Sequence, residues 1–367
     1  YVTLNVGEKE NGDLDRDLKL WVRVMAALLL GAIIGLIFGD LTQSSKWIGD
    51  LFVRFIRMLI VPLIFTSLVA GVVSMGDPKR LGSIGIKTIV LYLLTTFFAI
   101  IIGLTLGTIF NPGAGIDLSG VIPFETASSS MSVSDRLFGI VPTNPISSLA
   151  DGEGLPIIFF SILLGIGIIL GGEKTKTLGD VFSSAAEAVL KIAYLVMQLA
   201  PYGVLSLIAW VSGTMGLAAL QNLFVLTVIL YAGCLFHMIF VYGGLIRVVA
   251  GLPLGKFFKG IIDAQAVAYS TSSSSATLPV TLQCVQKNLG VKKTVASSVL
   301  PLGATINMDG TALYLGIVAL FSAQIFGVEL SFADYFLIAM TATLTSIGTA
   351  GIPSASLFLL ATVLSVI

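Results

Sequence analysis

The sequence predicts an all-α polytopic membrane protein, and three observations carry that prediction. Apolar residues make up 56% of the 367 and charged residues only 11%, against about 25% charged in a soluble domain. The mean hydropathy is +1.01. The apolar stretches are long and continuous, not short and alternating, which argues against an outer-membrane barrel. Lys plus Arg equals Asp plus Glu at 20 each, so no basic excess points to nucleic acid. One histidine (His237) and two cysteines (Cys234 and Cys284) are a thin inventory for a zinc site. All three lie in or beside apolar segments and read as packing residues.

Residues 1–18 are a polar lead-in without the apolar core of a signal peptide. Apolar segments follow at 20–39, 47–75, 83–110, 156–171, 188–212, 220–246 and 294–325. Each is near the roughly 20 residues that cross a bilayer. Gly31, Gly35 and Gly39 recur every four residues on the first segment, a pattern that permits close helix packing. Residues 111–153 carry Asn111-Pro112-Gly113, Pro123, Pro142 and Pro145. They predict a long exposed connection and then a broken, partly embedded stretch. Basic residues sit in alternate connections: Lys79 and Arg80, Lys174 and Lys176, then Arg247, Lys256 and Lys259. The positive-inside rule places these and the N-terminus in the cytoplasm. Arg54 and Arg57 break the pattern and read as interfacial or paired residues.

Residues 254–288 are basic at both ends, so both ends belong on one side. Their middle, Ser270-Thr271-Ser272-Ser273-Ser274-Ser275, is too polar for lipid. The segment reads as a re-entrant helical hairpin whose tip stops at mid-membrane. A second hairpin is expected at 329–367, with short apolar arms around Ser346-Ile347-Gly348-Thr349-Ala350-Gly351-Ile352-Pro353. It enters from the opposite side, and the pair suggests inverted repeats, a common transporter plan.

Between the hairpins lies Pro301-Leu302-Gly303-Ala304-Thr305-Ile306-Asn307-Met308-Asp309-Gly310-Thr311. Helix breakers and an ionisable group interrupt an otherwise apolar span. Such a carboxylate is a functional-site hypothesis by default, and unwound backbone at this depth must line protein or a cavity. Asp309, Asn307 and freed carbonyls would form an anionic, oxygen-rich nook suited to sodium. The alternative is a structural Asp paired with Arg or Lys, but no basic residue lies within 15 positions of it. The serine tip could donate hydrogen bonds to an anionic ligand, helped by a helix N-terminus. The second tip could act as a lid, its glycines permitting a hinge. His237 reads as a satisfied packing residue, not a proton relay.

Together these motifs resemble the glutamate transporter family, the sodium- or proton-coupled symporters of dicarboxylates and amino acids. The resemblance covers nearly the whole chain. It rests on Gly49-Asp50-Leu51-Phe52-Val53-Arg54, Tyr92-Leu93-Leu94-Thr95-Thr96, Leu155-Pro156, the serine hairpin through Thr277-Leu278-Pro279, Asn307-Met308-Asp309-Gly310-Thr311, and Ser346 to Pro353. It implies a homotrimer of eight-span, two-hairpin subunits in membrane lipid, working as an elevator. Residues 1–75 (spans one and two) and 111–218 (spans four and five) would be scaffold. Residues 76–110 (span three) and 219–367 (span six, hairpin one, span seven, hairpin two) would be transport domain. The chain stops at Ile367, and the final span of the family is expected beyond it, in a longer gene product.

The resemblance implies sodium sites at Tyr92, Thr95, Thr96, Asn307 and Asp309, at Gly303 with Asn307, and at Thr305, Met308, Ser346, Ile347 and Thr349. It implies substrate contacts from Ser272, Ser273, Ser274, Thr311, Ala350, Gly351 and Ile352. Some family members carry arginine just before the serines, where this chain has Ser272. The expected function is sodium-coupled symport of aspartate or glutamate, with sodium as coupling ion, no other cofactor, and no enzymatic activity. The alternative is a C4-dicarboxylate or neutral amino-acid symporter of the same fold, possibly proton-coupled. An intramembrane serine hydrolase would need a base near the serines, and hairpin one has no His, while its lysines, Lys256, Lys259 and Lys287, sit at its ends, away from the serine tip. A passive channel fits a lid less well. The short loops suggest a prokaryotic inner membrane.

Overall fold

The computed structural model describes residues 10–74, 78–114, 138–347 and 355–364, and these are helical with short connections. The helices are α1 (Glu10–Phe38), α2 (Lys46–Ser74), α3 (Pro78–Phe110), α4 (Pro145–Asp151), α5 (Gly154–Gly171), α6 (Lys176–Met197), α7 (Ala200–Thr214) and α8 (Gly216–Phe236). Then come α9 (Gly243–Val248), α10 (Leu254–Gly260), α11 (Ile262–Thr271), α12 (Ser274–Lys287), α13 (Lys293–Ile306), α14 (Asp309–Ile325), α15 (Phe332–Ile347) and α16 (Ala355–Leu364).

Among the described residues, five stretches are long and apolar enough to cross a membrane, or six with the bent pair α6–α7. One of them, Val22–Ser74, has 53 residues, far more than the roughly 20 of one crossing. It holds the first two expected segments, joined by a 3-10 turn over Gly39–Ser45. The expected segment at 188–212 is not one straight helix. It is split between α6 and α7, which bend by 51°. Pro201 sits in the first turn of α7, where its missing N–H costs nothing but would interrupt a continuous helix. The segment at 220–246 is also interrupted, by a π-helical turn over His237–Tyr242 between α8 and α9.

The first-segment glycines have different roles. A Cβ at Gly35 would lie 1.9 Å from Ser212 Oγ and 2.3 Å from the Ala209 carbonyl oxygen, and one at Gly31 would lie 2.7 Å from the Leu205 carbonyl oxygen. Both let α1 lie directly on α7. A Cβ at Gly39 would meet nothing within 4 Å; this glycine instead has φ +55 at the start of the 3-10 turn. Ser206 on α7 ties that turn down, accepting from Gly49 N at 3.2 Å and donating to the Ser45 carbonyl at 2.7 Å. We expect Gly35→Ala to destabilise the protein by about 1–3 kcal/mol through overpacking, read as a lower melting temperature in detergent. An unchanged melt would contradict the α1–α7 contact.

Helices α1, α2, α5, α6 and α7 pack mainly on one another, while α3, α8, α15 and α16 gather around α14. α14 is apolar on every side and buried along its length, as expected for a helix with no solvent or lipid face. The main core joins Ile64 and Leu68 of α2, Ile100 of α3, Ile158 of α5, Leu315 and Leu320 of α14, Ile338 of α15 and Leu359 of α16. A smaller core beside the site joins Ala99, Ile229, Leu313 and Ile317.

Helices α11 and α12 pack together as a helical hairpin around a two-residue turn. Ser272 in that turn is left-handed, with φ 50. Ser273 caps α12, accepting from Ala276 N at 3.2 Å. Asn288 Nδ2 donates to the Gly260 carbonyl at 2.7 Å and closes the open end. Helices α15 and α16 also pack against each other, and the tip between them, 348–354, lies outside the described residues.

Candidate functional site

The site is built on the break between α13 and α14. Asn307 (φ −95, ψ 76) and Met308 (φ −106, ψ 55) leave the helical region and separate the two helices. Asp309 therefore sits at the first position of α14, whose N-terminal partial positive charge favours a carboxylate. It is 3% exposed, so its charge must be met by nearby groups.

Three side chains converge on that carboxylate. Thr96 Oγ1 of α3 donates to Oδ1 at 2.6 Å. Tyr242 of the π turn donates its hydroxyl to Oδ2 at 2.7 Å. His237 Nε2, from the start of the same turn, lies 3.1 Å from Oδ2. An ionised carboxylate only accepts, so Nε2 is the donor. On the adjacent residue of α3, Thr95 Oγ1 lies 3.1 Å from Asn307 Oδ1 and 3.0 Å from the Tyr92 carbonyl. A hydroxyl has one proton. With that proton on the Tyr92 carbonyl, the Thr95 oxygen and the Asn307 amide oxygen are both free to face a cation. Tyr92 donates its hydroxyl to the Val299 carbonyl at 2.9 Å and abuts Gly303, where a Cβ would lie 2.6 Å from that hydroxyl.

The structure thus brings Tyr92, Thr95, Thr96, Asn307 and Asp309 together, with Gly303 beside them. Oxygen donors of this type suit a hard monovalent or divalent cation. Among the described residues no group of three His, Cys, Asp or Glu could hold a transition metal. Two other expected residues bond elsewhere. Thr305 Oγ1 donates to the Leu302 carbonyl at 3.1 Å and Ser346 Oγ to the Thr343 carbonyl at 2.8 Å. Met308 forms the break itself. Ser272 and Ser274 are exposed at the hairpin tip, with Ser273 half-buried between them, and Thr311 is half-buried on the first turn of α14. Thr349, Ala350, Gly351 and Ile352 lie outside the described residues, as does the side chain of Ile347.

Two readings of the sequence need correction. Asp309 has a side-chain partner outside its sequence neighbourhood, His237, 72 positions upstream. Helix packing, not sequence proximity, makes that pairing, by bringing α8 and its π turn against α3 and α14. His237 is not merely a packing residue but part of the carboxylate's hydrogen-bonded surroundings. Tyr242 was not expected there at all. A cavity of about 400 Å³ adjoins these groups, with walls from Asp309, His237, Tyr242, Gln265, Phe258 and Leu313. Among the described residues assigned to substrate, none lines it.

Over residues 20–367 the chain matches the model of the sodium:dicarboxylate symporter family. It is 36% identical over 359 residues to the proton/sodium-glutamate symport protein of Bacillus subtilis (strain 168), covering 95% of this chain and 83% of that one. It is 35% identical over 364 residues to the proton/glutamate-aspartate symporter of Escherichia coli (strain K12), covering 94% and 83%. It is 34% identical over 352 residues to the C4-dicarboxylate transport protein of Bacillus subtilis (strain 168), covering 94% and 83%.

Proposed function

This chain belongs to the sodium:dicarboxylate symporter family, and from that premise we propose that it carries aspartate or glutamate together with sodium. The family is one of transporters, not enzymes, and the chain is an integral, multi-pass membrane protein. The single observation that carries the sodium reading is the oxygen cluster of Thr95, Thr96, Asn307 and Asp309 around a helix break. A buried carboxylate beside unwound backbone can exchange water for a bound cation without leaving polar groups unpaired.

In the proposed mechanism, the substrate's carboxylates meet hydroxyl and N–H donors at the Ser272–Ser274 turn and at Thr311, where two helix N-termini begin. The lid expected at 348–354, which lies outside the described residues, would complete the site. Sodium and substrate then stabilise one closed state, which couples the two. The closed unit, 76–110 with 219–367, moves as an elevator against 1–75 with 111–218 in each subunit of a trimer. The packing of α3, α8, α15 and α16 around α14 supports grouping these helices, while the main core also joins them to α2 and α5.

A C4-dicarboxylate reading is favoured by the 34% identical relative named for that substrate. Competition separates the two. With the full-length gene product in proteoliposomes, under inward sodium and proton gradients together, labelled L-aspartate uptake should be blocked by excess unlabelled glutamate and spared by succinate and serine. Succinate carried in place of aspartate would overturn the amino-acid reading.

A further inference from the structure

We infer that His237 and Tyr242 are positioning residues, which lock one oxygen of Asp309 so that only the other can meet the coupled ion. The inference rests on the sodium reading above and extends it to two side chains that no motif marks.

An ionised carboxylate offers about four acceptor sites, two on each oxygen. His237 and Tyr242 both donate to Oδ2, at 3.1 and 2.7 Å, and so fill it. Thr96 takes one site on Oδ1 at 2.6 Å. The remaining site is on Oδ1, the oxygen held by Thr96, whose neighbour on α3 is Thr95 with Asn307 beside it. A carboxylate free to rotate would spread its charge over two oxygens and two directions. Held at Oδ2, it presents one oxygen in one direction.

The backbone is built for this grip. Residues five apart on an α-helix diverge by about 140°, from 3.6 residues per turn, so His237 and Tyr242 could not both reach one oxygen from a regular helix. The π turn over His237–Tyr242 is wider, and such turns are frequent at functional sites. It brings the two rings into edge contact, 4.7 Å between centroids at 78°. His237 is 4% exposed and Tyr242 half-buried, and both stand in the wall of the cavity beside Asp309.

The test compares Tyr242→Phe, His237→Leu and His237→Gln in the full-length protein, reconstituted and assayed for aspartate uptake against sodium concentration. Tyr242→Phe keeps the ring and loses only the hydroxyl. His237→Gln keeps an N–H donor, and His237→Leu removes it. Tyr242→Phe and His237→Leu should each raise half-saturating sodium about tenfold, the order expected for one hydrogen bond to a charged group. The loss of maximal rate should be smaller, and His237→Gln should recover most of the sodium affinity. Half-saturating sodium unchanged in Tyr242→Phe, with wild type sodium-dependent, would overturn the positioning role alone. So would equal loss in His237→Gln and His237→Leu. Wild-type uptake indifferent to sodium would overturn the sodium reading and this inference with it.

Discussion

Asp309→Asn should lower sodium-driven uptake by about a hundredfold. Three donors, from Thr96, Tyr242 and His237, aim at the two carboxylate oxygens. An amide has one oxygen, and its nitrogen accepts nothing. Whichever way the side chain turns, at least one buried donor loses its acceptor, at about 1–3 kcal/mol. The negative charge that offsets a bound cation is lost as well. The check is uptake across a sodium series, with gel filtration to confirm that the variant is folded. Wild-type sodium dependence in the variant would remove Asp309 from the ion's surroundings.

Gly103→Leu should be as damaging for a different reason. A Cβ at Gly103 would lie 2.6 Å from the carbonyl oxygen of Leu313 and 3.2 Å from its Cα. Those are backbone atoms of α14, one turn beyond Asp309, and they cannot swing aside. The overpacking costs about 1–3 kcal/mol or more if α3 and α14 stay in register. If they separate, Thr96 leaves Asp309. Gly71→Leu is the matched control, since nothing lies within 4 Å of a Cβ there. We expect the first variant to melt at a lower temperature and to lose uptake, and the second to behave nearly as wild type. Equal melting and uptake in both would contradict the α3–α14 contact.

Much of this arrangement was legible in residue order. Asn307 and Met308 break the span between α13 and α14, and Pro301, Gly303 and Asn307 announce it. The serine run gives the α11–α12 turn because Ser273 can cap a helix and because hydroxyls cannot face lipid. The bend between α6 and α7 had its signal in Pro201, but the continuous apolarity of 188–212 hid it. The π turn had no signal: His237-Met238-Ile239-Phe240-Val241-Tyr242 reads as ordinary apolar helix. Its consequence, two donors on Asp309 from 72 and 67 positions away, depends on which helix faces which. Local spacing carries no information about that. The one available hint was that His237 is the single histidine in so apolar a chain, a residue whose burial needs a partner.

We propose that an inward sodium gradient drives transport by way of the oxygen cluster at the α13–α14 break. The most direct measurement is labelled L-aspartate uptake by proteoliposomes of the full-length gene product with pH equal on both sides, comparing external sodium with external choline. Concentrative uptake in sodium and none in choline is the expected result. Equal uptake in both, rising instead with an inward proton gradient, would contradict it.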